Sequence, residues 1–466
     1  MSTSATSSPL RVAIVGAGPA GFYAADRLLR AERDLDVQVE LYDRLPTPWG
    51  LVRAGVAPDH PKIKSVTRVY EKTARAEGFR FHGNVEVGSD VTHDELLAHH
   101  HAVIYTYGAA IDRRLGIPGE ELPGSVPATE FVAWYNGHPD ACHHAFRLDG
   151  TRAVVIGNGN VAVDVARMLV LTRDELATTD IADEALEALA ASTIEEVVIL
   201  GRRGPAQAAY TTPELRELGE LEQADVVVDP AEVELDPVSR AWLEGDEADR
   251  TARDNVEIVH EYAARPPGGK PRRVVLRYLR SPVEIVGTDR VEGVRVVRNE
   301  LLADEDGNLR AHHTGDEELI PCELVLRSVG YRGVGIEGLP FDERSGTILN
   351  DGGRVLAAPG GAPLPGVYTA GWIKRGPSGV IGTNKKCANE TVDLLLEDLA
   401  AGRLPEPPHH ADELAALLAE RGASEVDYAG WERIDEHERA TGEAQGRPRV
   451  KVTRREELLA KSRGEG

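Results

Sequence analysis

The chain has little that would suit it to a thiol, metal or membrane role. Only three of its 466 residues are cysteine, Cys142, Cys322 and Cys387, and they are widely scattered. That scatter excludes a disulfide framework, a cysteine-built zinc site and an iron–sulfur cluster, and it leaves no C-x-x-C dithiol. No apolar run approaches the ~18 residues of a membrane-spanning helix, so no membrane insertion is expected. Positive charge is in deficit: 53 Lys and Arg stand against 77 Asp and Glu, a formal net charge of −24. Nucleic acid and anionic membranes both require a positive face, so a general binder of either is excluded. The histidine clusters His99–His101, His143–His144 and His312–His313 lack further ligands converging on one point, and no metal site is expected. The opening MSTSATSSPLR has neither an apolar targeting core nor a basic amphipathic helix and reads as a short disordered leader. A reducing, cytoplasmic setting follows from the cysteine usage.

Glycine, by contrast, is abundant, at 47 residues, and two stretches use it in the same way. In RVAIVGAGPAGFYAADRLL, Arg11 to Leu29, Gly16, Gly18 and Gly21 fit G-x-G-x-x-G between a strand and a helix. Such glycines permit the tight turn, the close approach of backbone N–H groups to a pyrophosphate, and close packing of helix on strand. The next strand, VQVELYD, ends in Asp43, where a carboxylate can accept hydrogen bonds from an adenosine ribose. In VVIGNGNVAVDVARML, Val154 to Leu169, Gly157 and Gly159 are followed by Ala162, and the return strand EEVVILG leads into Arg202 and Arg203 instead of an acid. Guanidinium groups there suit a 2′-phosphate, which a carboxylate would repel. The first site is therefore expected to hold FAD and the second NADP(H). Glu214, opening a helix after Thr212 and Pro213, either caps that helix or reaches the nicotinamide nucleotide.

Two dinucleotide sites in one chain imply hydride transfer between two cofactors, chemistry the cofactors themselves supply. No hydrolase signature such as G-x-S-x-G or H-E-x-x-H competes. The expected fold class is α/β with two Rossmann-like dinucleotide-binding domains, glutathione-reductase-like. An NADP-binding domain at 111–330 is inserted in a discontinuous FAD-binding domain, 1–110 and 331–466, the latter ending in a helical segment. An acidic stretch, Thr172 to Ala191, reads as a solvated helical insertion. Trp49 and Trp372, flanked by prolines and glycines, read as ligand-lining.

LPTPWGLVRAGVAPDHPKIKS, GNGNVAVDVAR, GRRGPAQAAYTTPELREL, LVLRSVGYRG and GWIKRGPSGVIGTNKK resemble the adrenodoxin-reductase type of ferredoxin–NADP reductase, in particular the bacterial NADPH–ferredoxin reductases. The resemblance runs from the first strand to GRPRVK near the C-terminus. It implies non-covalent FAD held by Ala20, Asp43, Leu51 and Val85, with Trp372, Gly379, Val380 and Ile381 near the isoalloxazine. It implies NADP on Asn158, Gly159, Asn160, Val161, Arg202, Arg203 and Glu214, with Gly379 between the cofactors. The amides of Asn158 and Asn160 would face the pyrophosphate or the nicotinamide. Electrons would pass singly to an acidic iron–sulfur ferredoxin, with a cytochrome P450 as one downstream acceptor, and the protein would be a monomer. Asp43 departs mildly from a pattern in which Glu is commoner. His60 and Glu217 are candidates for proton relay near the flavin, although His60 would serve equally as a backbone-bonding residue of its proline-rich loop. Arg277 and Arg280, or Arg53, Lys62, Lys64, Lys374 and Arg375, are candidates for docking the partner. Rival readings are a flavin disulfide reductase, an electron-input subunit, which would carry N-terminal cysteine clusters, and a non-catalytic nucleotide sensor.

Overall fold

The apolar runs that read as strands assemble into two mainly parallel sheets, one in each of the two units into which the chain divides in this computed structural model. The structure describes residues 9–31, 35–246, 248–266, 268–305 and 308–465; residues 1–8 of the expected leader lie outside them. Unit 1 combines the chain up to Val56 with His60–Ile111 and Gly330–Gly466, and unit 2 comprises Asp112–Val329 with Ala57–Asp59.

The seven strands of the main sheet of unit 1 lie in the order Asn350–Asp351, Arg354–Leu356, Pro363–Thr369, Ala102–Tyr105, Leu10–Val15, Val37–Asp43 and Phe79–Gly83. The last five of these run parallel, with Leu10–Val15 at their centre. Both faces of that central strand are buried from Val12 onward, which is why Val12–Val15 is an unbroken apolar run. Val12 and Ile14 pack with Phe22, Tyr70, Val392 and Leu395 from the helices Pro19–Leu29, Thr67–Ala74 and Ile381–Ala400. Ala13 and Val15 face the other way, toward Leu96, Ile348, Ile373 and Leu414.

Unit 2 repeats the plan in an all-parallel six-stranded sheet, ordered Ser125–Pro127, Leu324–Arg327, Arg152–Ile156, Glu196–Leu200, Arg272–Arg277 and Ala224–Val228. One face packs against the helix Asn160–Val170. The other is covered by a three-stranded antiparallel sheet, Arg280–Val286, Gly293–Ala303 and Leu309–Pro321, through Ile285, Val294 and Val296. The run RRVVLRYLRSPVEIVG is thus two strands of different sheets, joined where Leu279 adopts φ +55°. The stretch Thr172–Ala191 is not a solvated insertion. Its two helices, Arg173–Leu176 and Asp183–Ala190, bury Leu176, Ala185, Leu186 and Leu189 in the core of unit 2, and Asp174, Asp183, Glu184 and Glu187 are exposed. Among the described residues no helix is long and apolar enough to cross a membrane.

Candidate functional site

In unit 1 the strand Leu10–Val15 delivers the chain to Gly16 at φ +107°, where a Cβ would lie 2.6 Å from Tyr107 Cα. A Cβ on Gly21 would lie 2.1 Å from the Gly16 carbonyl oxygen, so the first and third glycines are demanded by packing. Gly18 differs. A Cβ there meets nothing within 4 Å, leaving open space at the N-terminus of the helix Pro19–Leu29, the place for a pyrophosphate. Thr106 steadies the turn, its hydroxyl within hydrogen-bond distance of the carbonyl oxygens of Gly16 (2.8 Å) and Val15 (3.0 Å). Asp43 braces it from the neighbouring strand: Oδ2 accepts the Ala17 N–H at 2.7 Å and Oδ1 the Leu45 N–H at 2.9 Å. Burial raises the Asp43 pKa, and those two N–H groups act against it. Each carboxylate oxygen keeps a lone pair able to accept a further hydrogen bond.

The loop that follows folds back on the turn. Trp49 N–H donates to the Ala17 carbonyl at 2.9 Å, and a Cβ on Gly50 would come within 2.9 Å of Gly18 Cα. Trp49 itself is buried, its ring 4.7 Å from Phe22 and 5.7 Å from Tyr70, so it is a core aromatic and not ligand-lining as its sequence context suggested. Leu51 stands exposed at the start of a short helix, while Val85 is buried and donates its N–H to the Asp43 carbonyl at 2.9 Å. From the far side of the sheet comes Gly371, whose Cβ would sit 2.7 Å from that of Ala20. Trp372 follows it, 5.4 Å from the Tyr331 ring, with its indole Nε1 buried and unpartnered. Gly379 has φ +79°, Val380 is exposed, and Ile381 is the half-buried first residue of the long helix.

The turn of unit 2 is built alike. Gly157 has φ +124°, and its Cβ would strike the Ser328 carbonyl at 2.0 Å. At Gly159 the nearest atom to a Cβ is that of Ala209, 4.0 Å away, so the helix N-terminus at Asn160 is again open. Asn160 does not simply point at a ligand: its Oδ1 accepts the Thr211 N–H at 2.7 Å, and the Asn158 carbonyl accepts the Ala209 N–H at 3.1 Å. The Asn158 carboxamide packs against Gly201, where a Cβ would be 2.6 Å from Nδ2. Both asparagines thereby fix the segment leading to Glu214, whose Oε2 is buried without a partner. Val161 is half-buried beside them.

Arg202 is exposed. Arg203 makes only a long bond, 3.4 Å, to the Gln207 carbonyl, and its pKa is lowered by burial and by the nearby positive charges of Arg202 and Arg310. Arg310, from the antiparallel sheet, is a third cation that the sequence did not point to. Two open helix N-termini, an orphaned indole donor, an orphaned carboxylate acceptor and the lightly engaged pair Arg202 and Arg203 fit two dinucleotides.

The relay candidates stand in different units. His60 is a buried residue of unit 1 at the N-cap of Pro61–Lys64; Glu217, in unit 2, is ion-paired with buried Arg167, which also meets Asp59 at 2.7 Å. Most docking candidates are engaged within the protein. Arg53 is held by Glu438 at 2.5 and 2.8 Å, and Arg277 and Arg280 share Glu232, at 2.9 and 2.7 Å. Lys374 bonds the Gly352 carbonyl at 2.7 Å and Arg375 the Asn384 carboxamide at 2.9 Å. Lys62 is exposed, as are Arg68 and Lys72 on the following helix. Cys322 and Cys387 are buried, the thiol of Cys322 pushed up to about 12 by burial, and no cysteine forms a disulfide.

The fold and its paired cradles define a two-nucleotide α/β oxidoreductase. Residues 10–202 match the family model of the pyridine nucleotide-disulphide oxidoreductases. The chain is 52% identical over 459 residues to the NADPH-ferredoxin reductase FprA of Mycobacterium tuberculosis, covering 97% of this chain and 98% of that protein. It is 41% identical over 479 residues to the mitochondrial NADPH:adrenodoxin oxidoreductase of Arabidopsis thaliana, covering 98% and 96%. The solved structure of M. tuberculosis FprA in complex with NADPH superposes with a TM-score of 0.92, covering 98% of this chain and all of that one. The chain belongs to the adrenodoxin-reductase type of ferredoxin–NADP reductases.

Proposed function

We propose that the protein is an FAD-dependent NADPH–ferredoxin oxidoreductase in which unit 1 holds FAD and unit 2 holds NADP(H). The observation that carries the reading is the contrast between the two cradles: the same open glycine turn is braced by the carboxylate of Asp43 in one and followed by Arg202 and Arg203 in the other. When bound, FAD supplies two-electron acceptance from a hydride and release of single electrons. The chain's own residues bind and orient. Gly16, Gly18, Ala20 and Gly21 shape the pyrophosphate cradle, Asp43 takes the ribose, and Leu51 and Val85 flank the nucleotide. Trp372, Gly379, Val380 and Ile381 line the flavin end, and the Trp372 N–H is a donor held ready there. Asn158, Gly159, Asn160 and Val161 form the second cradle, Arg202 and Arg203 take the 2′-phosphate, and Glu214 accepts from the nicotinamide nucleotide. His60 and Glu217 are proposed to move a proton near the flavin.

The acceptor in this reading is an acidic iron–sulfur ferredoxin, met at the exposed cations Lys62, Arg68 and Lys72, and the enzyme acts as a monomer in the cytoplasm. The scattered cysteines, with Cys322 and Cys387 buried and no pair among the three, disfavour a disulfide-reductase role. The test is anaerobic mixing of the purified yellow protein with NADPH, followed by an oxidised ferredoxin. Flavin bleaching and then ferredoxin reduction, slowed by added salt, is the expected outcome. Bleaching without ferredoxin reduction would overturn the acceptor, and no bleaching would favour a nucleotide sensor.

A further inference from the structure

The short turn that carries the arginine pair is tied down at every carbonyl. Gly201 O accepts the Arg280 N–H at 3.0 Å, Arg202 O accepts from Asn299 Nδ2 at 2.7 Å, and Arg203 O accepts the Leu279 N–H at 3.2 Å. Gly201 N–H in turn donates to the Arg277 carbonyl at 2.8 Å. Three of these four bonds are made by backbone at the crossing where the parallel sheet hands over to the antiparallel one. Asn299 alone among these partners contributes a side chain.

Asn299 is 1% exposed, on the strand Gly293–Ala303 at the bulge where the register shifts between Val297 and Asn299. Its own N–H donates to the Leu279 carbonyl at 2.8 Å, and Nδ2 also lies 2.8 Å from Ser281 Oγ. Reversing the carboxamide would set Oδ1 against the Arg202 carbonyl, two acceptors facing each other, so the chemistry fixes the donor's direction. Its Oδ1 is buried without a partner. A buried amide left half satisfied is costly, and the contact that requires it here is the peptide unit between the two arginines.

We infer that Asn299 is a positioning residue for coenzyme selectivity: it holds the Arg202–Arg203 peptide plane so that both guanidinium groups present to a 2′-phosphate. NADH lacks that group and should be indifferent to the plane's orientation. The inference rests on the reading of Arg202 and Arg203 as the 2′-phosphate site.

The test is steady-state reduction of ferricyanide by the FAD-loaded enzyme with NADPH and with NADH, which needs no ferredoxin. Asn299→Ala is expected to raise the KM for NADPH by about three- to tenfold, with kcat and the NADH kcat/KM within about twofold of the parent. Asn299→Asp, which sets an acceptor against the carbonyl, should do at least as much. Asn299→Ser should recover part of the NADPH preference, and Ser281→Ala should leave it unchanged. Equal losses with both coenzymes, or a lowered Tm with selectivity intact, would overturn the inference. Arg202→Ala separates the two readings. If it leaves the NADPH/NADH ratio unchanged, the arginine reading fails and the role of Asn299 with it. If it abolishes the preference while Asn299→Ala leaves the NADPH/NADH ratio at the parent's value, only the role of Asn299 fails.

Discussion

At Asn160 a single carboxamide oxygen ties the second glycine turn to the Thr211 amide, so its effect should differ in kind from that of the arginines. Asn160→Ala is expected to loosen the segment leading to Glu214 and weaken NADPH and NADH by a similar factor, about tenfold or less for one buried hydrogen bond. Arg202→Ala should weaken NADPH about 10- to 100-fold, as loss of a charge-assisted pair does, and spare NADH. Titration of flavin reduction against each coenzyme measures both. Residues whose role is set by their place at a strand end, such as Asp43, Arg202 and Arg203, are legible in a sequence because the strand–turn–helix register locates them. The contacts of Asn160, Thr106 and Asn299 are not, since each is made to backbone that only the fold brings near. Asn299 and the carbonyl it holds are 97 residues apart. Trp49 misleads for the same reason: its proline- and glycine-rich surroundings describe the loop, while Phe22 and Tyr70, which bury it, lie elsewhere in the chain.

Elements were read best where one periodicity ran without interruption. The two strand–turn–helix units could be seen because parallel strands buried on both faces are continuous apolar runs and the glycines punctuate them. The run from Arg272 to Gly287 hid its break, because the left-handed residue is Leu279 and not a glycine or asparagine that would have signalled it. The acidic stretch at Thr172–Ala191 was misjudged by its charge, although its leucines and alanines line one helical face. The first turn offers a test of how an element separates folding from binding. Gly21→Ala drives a Cβ into the Gly16 carbonyl and is expected to lower Tm markedly and yield little holoprotein. Gly18→Ala has room and an ordinary φ of −86°, so the protein should fold with a nearly unchanged Tm in the absence of flavin yet bind FAD at least about tenfold more weakly. Tm by circular dichroism and FAD titration of the apoprotein distinguish the two. Equal behaviour of both variants would contradict the assignment of Gly18 to the pyrophosphate.

Across the whole molecule the acidic excess is not spread evenly in its consequences. Glu40 lies in the sheet of unit 1, where burial acts to raise its pKa. The His100 hydrogen bond, the His82 charge and the Tyr42 hydroxyl outweigh burial and hold it at about 2 against an ordinary 4.5. A carboxyl whose folded pKa lies below its unfolded one contributes stability that is complete above the unfolded value and lost as pH falls toward the folded value. Tm of the parent should therefore drop between pH 4.5 and about 2, and Glu40→Gln should show a lower Tm at pH 7 with a flatter slope in that window. A parallel downward offset with no change of slope would remove Glu40 from the account.

In the sheet of unit 1 the chain's first strand is the middle one of the five parallel strands, and Pro363–Thr369, the partner of Ala102–Tyr105, arrives only after all of Asp112–Val329 has been made. Translation therefore reverses the usual order of domain completion. On the ribosome the inserted unit can close its own sheet first, while Ala102–Tyr105 keeps an unpaired edge until Thr369 has been made, on the order of tens of seconds at common elongation rates. A nascent chain stalled in that interval would hold a finished nucleotide cradle at Gly157 and an unfinished one at Gly16.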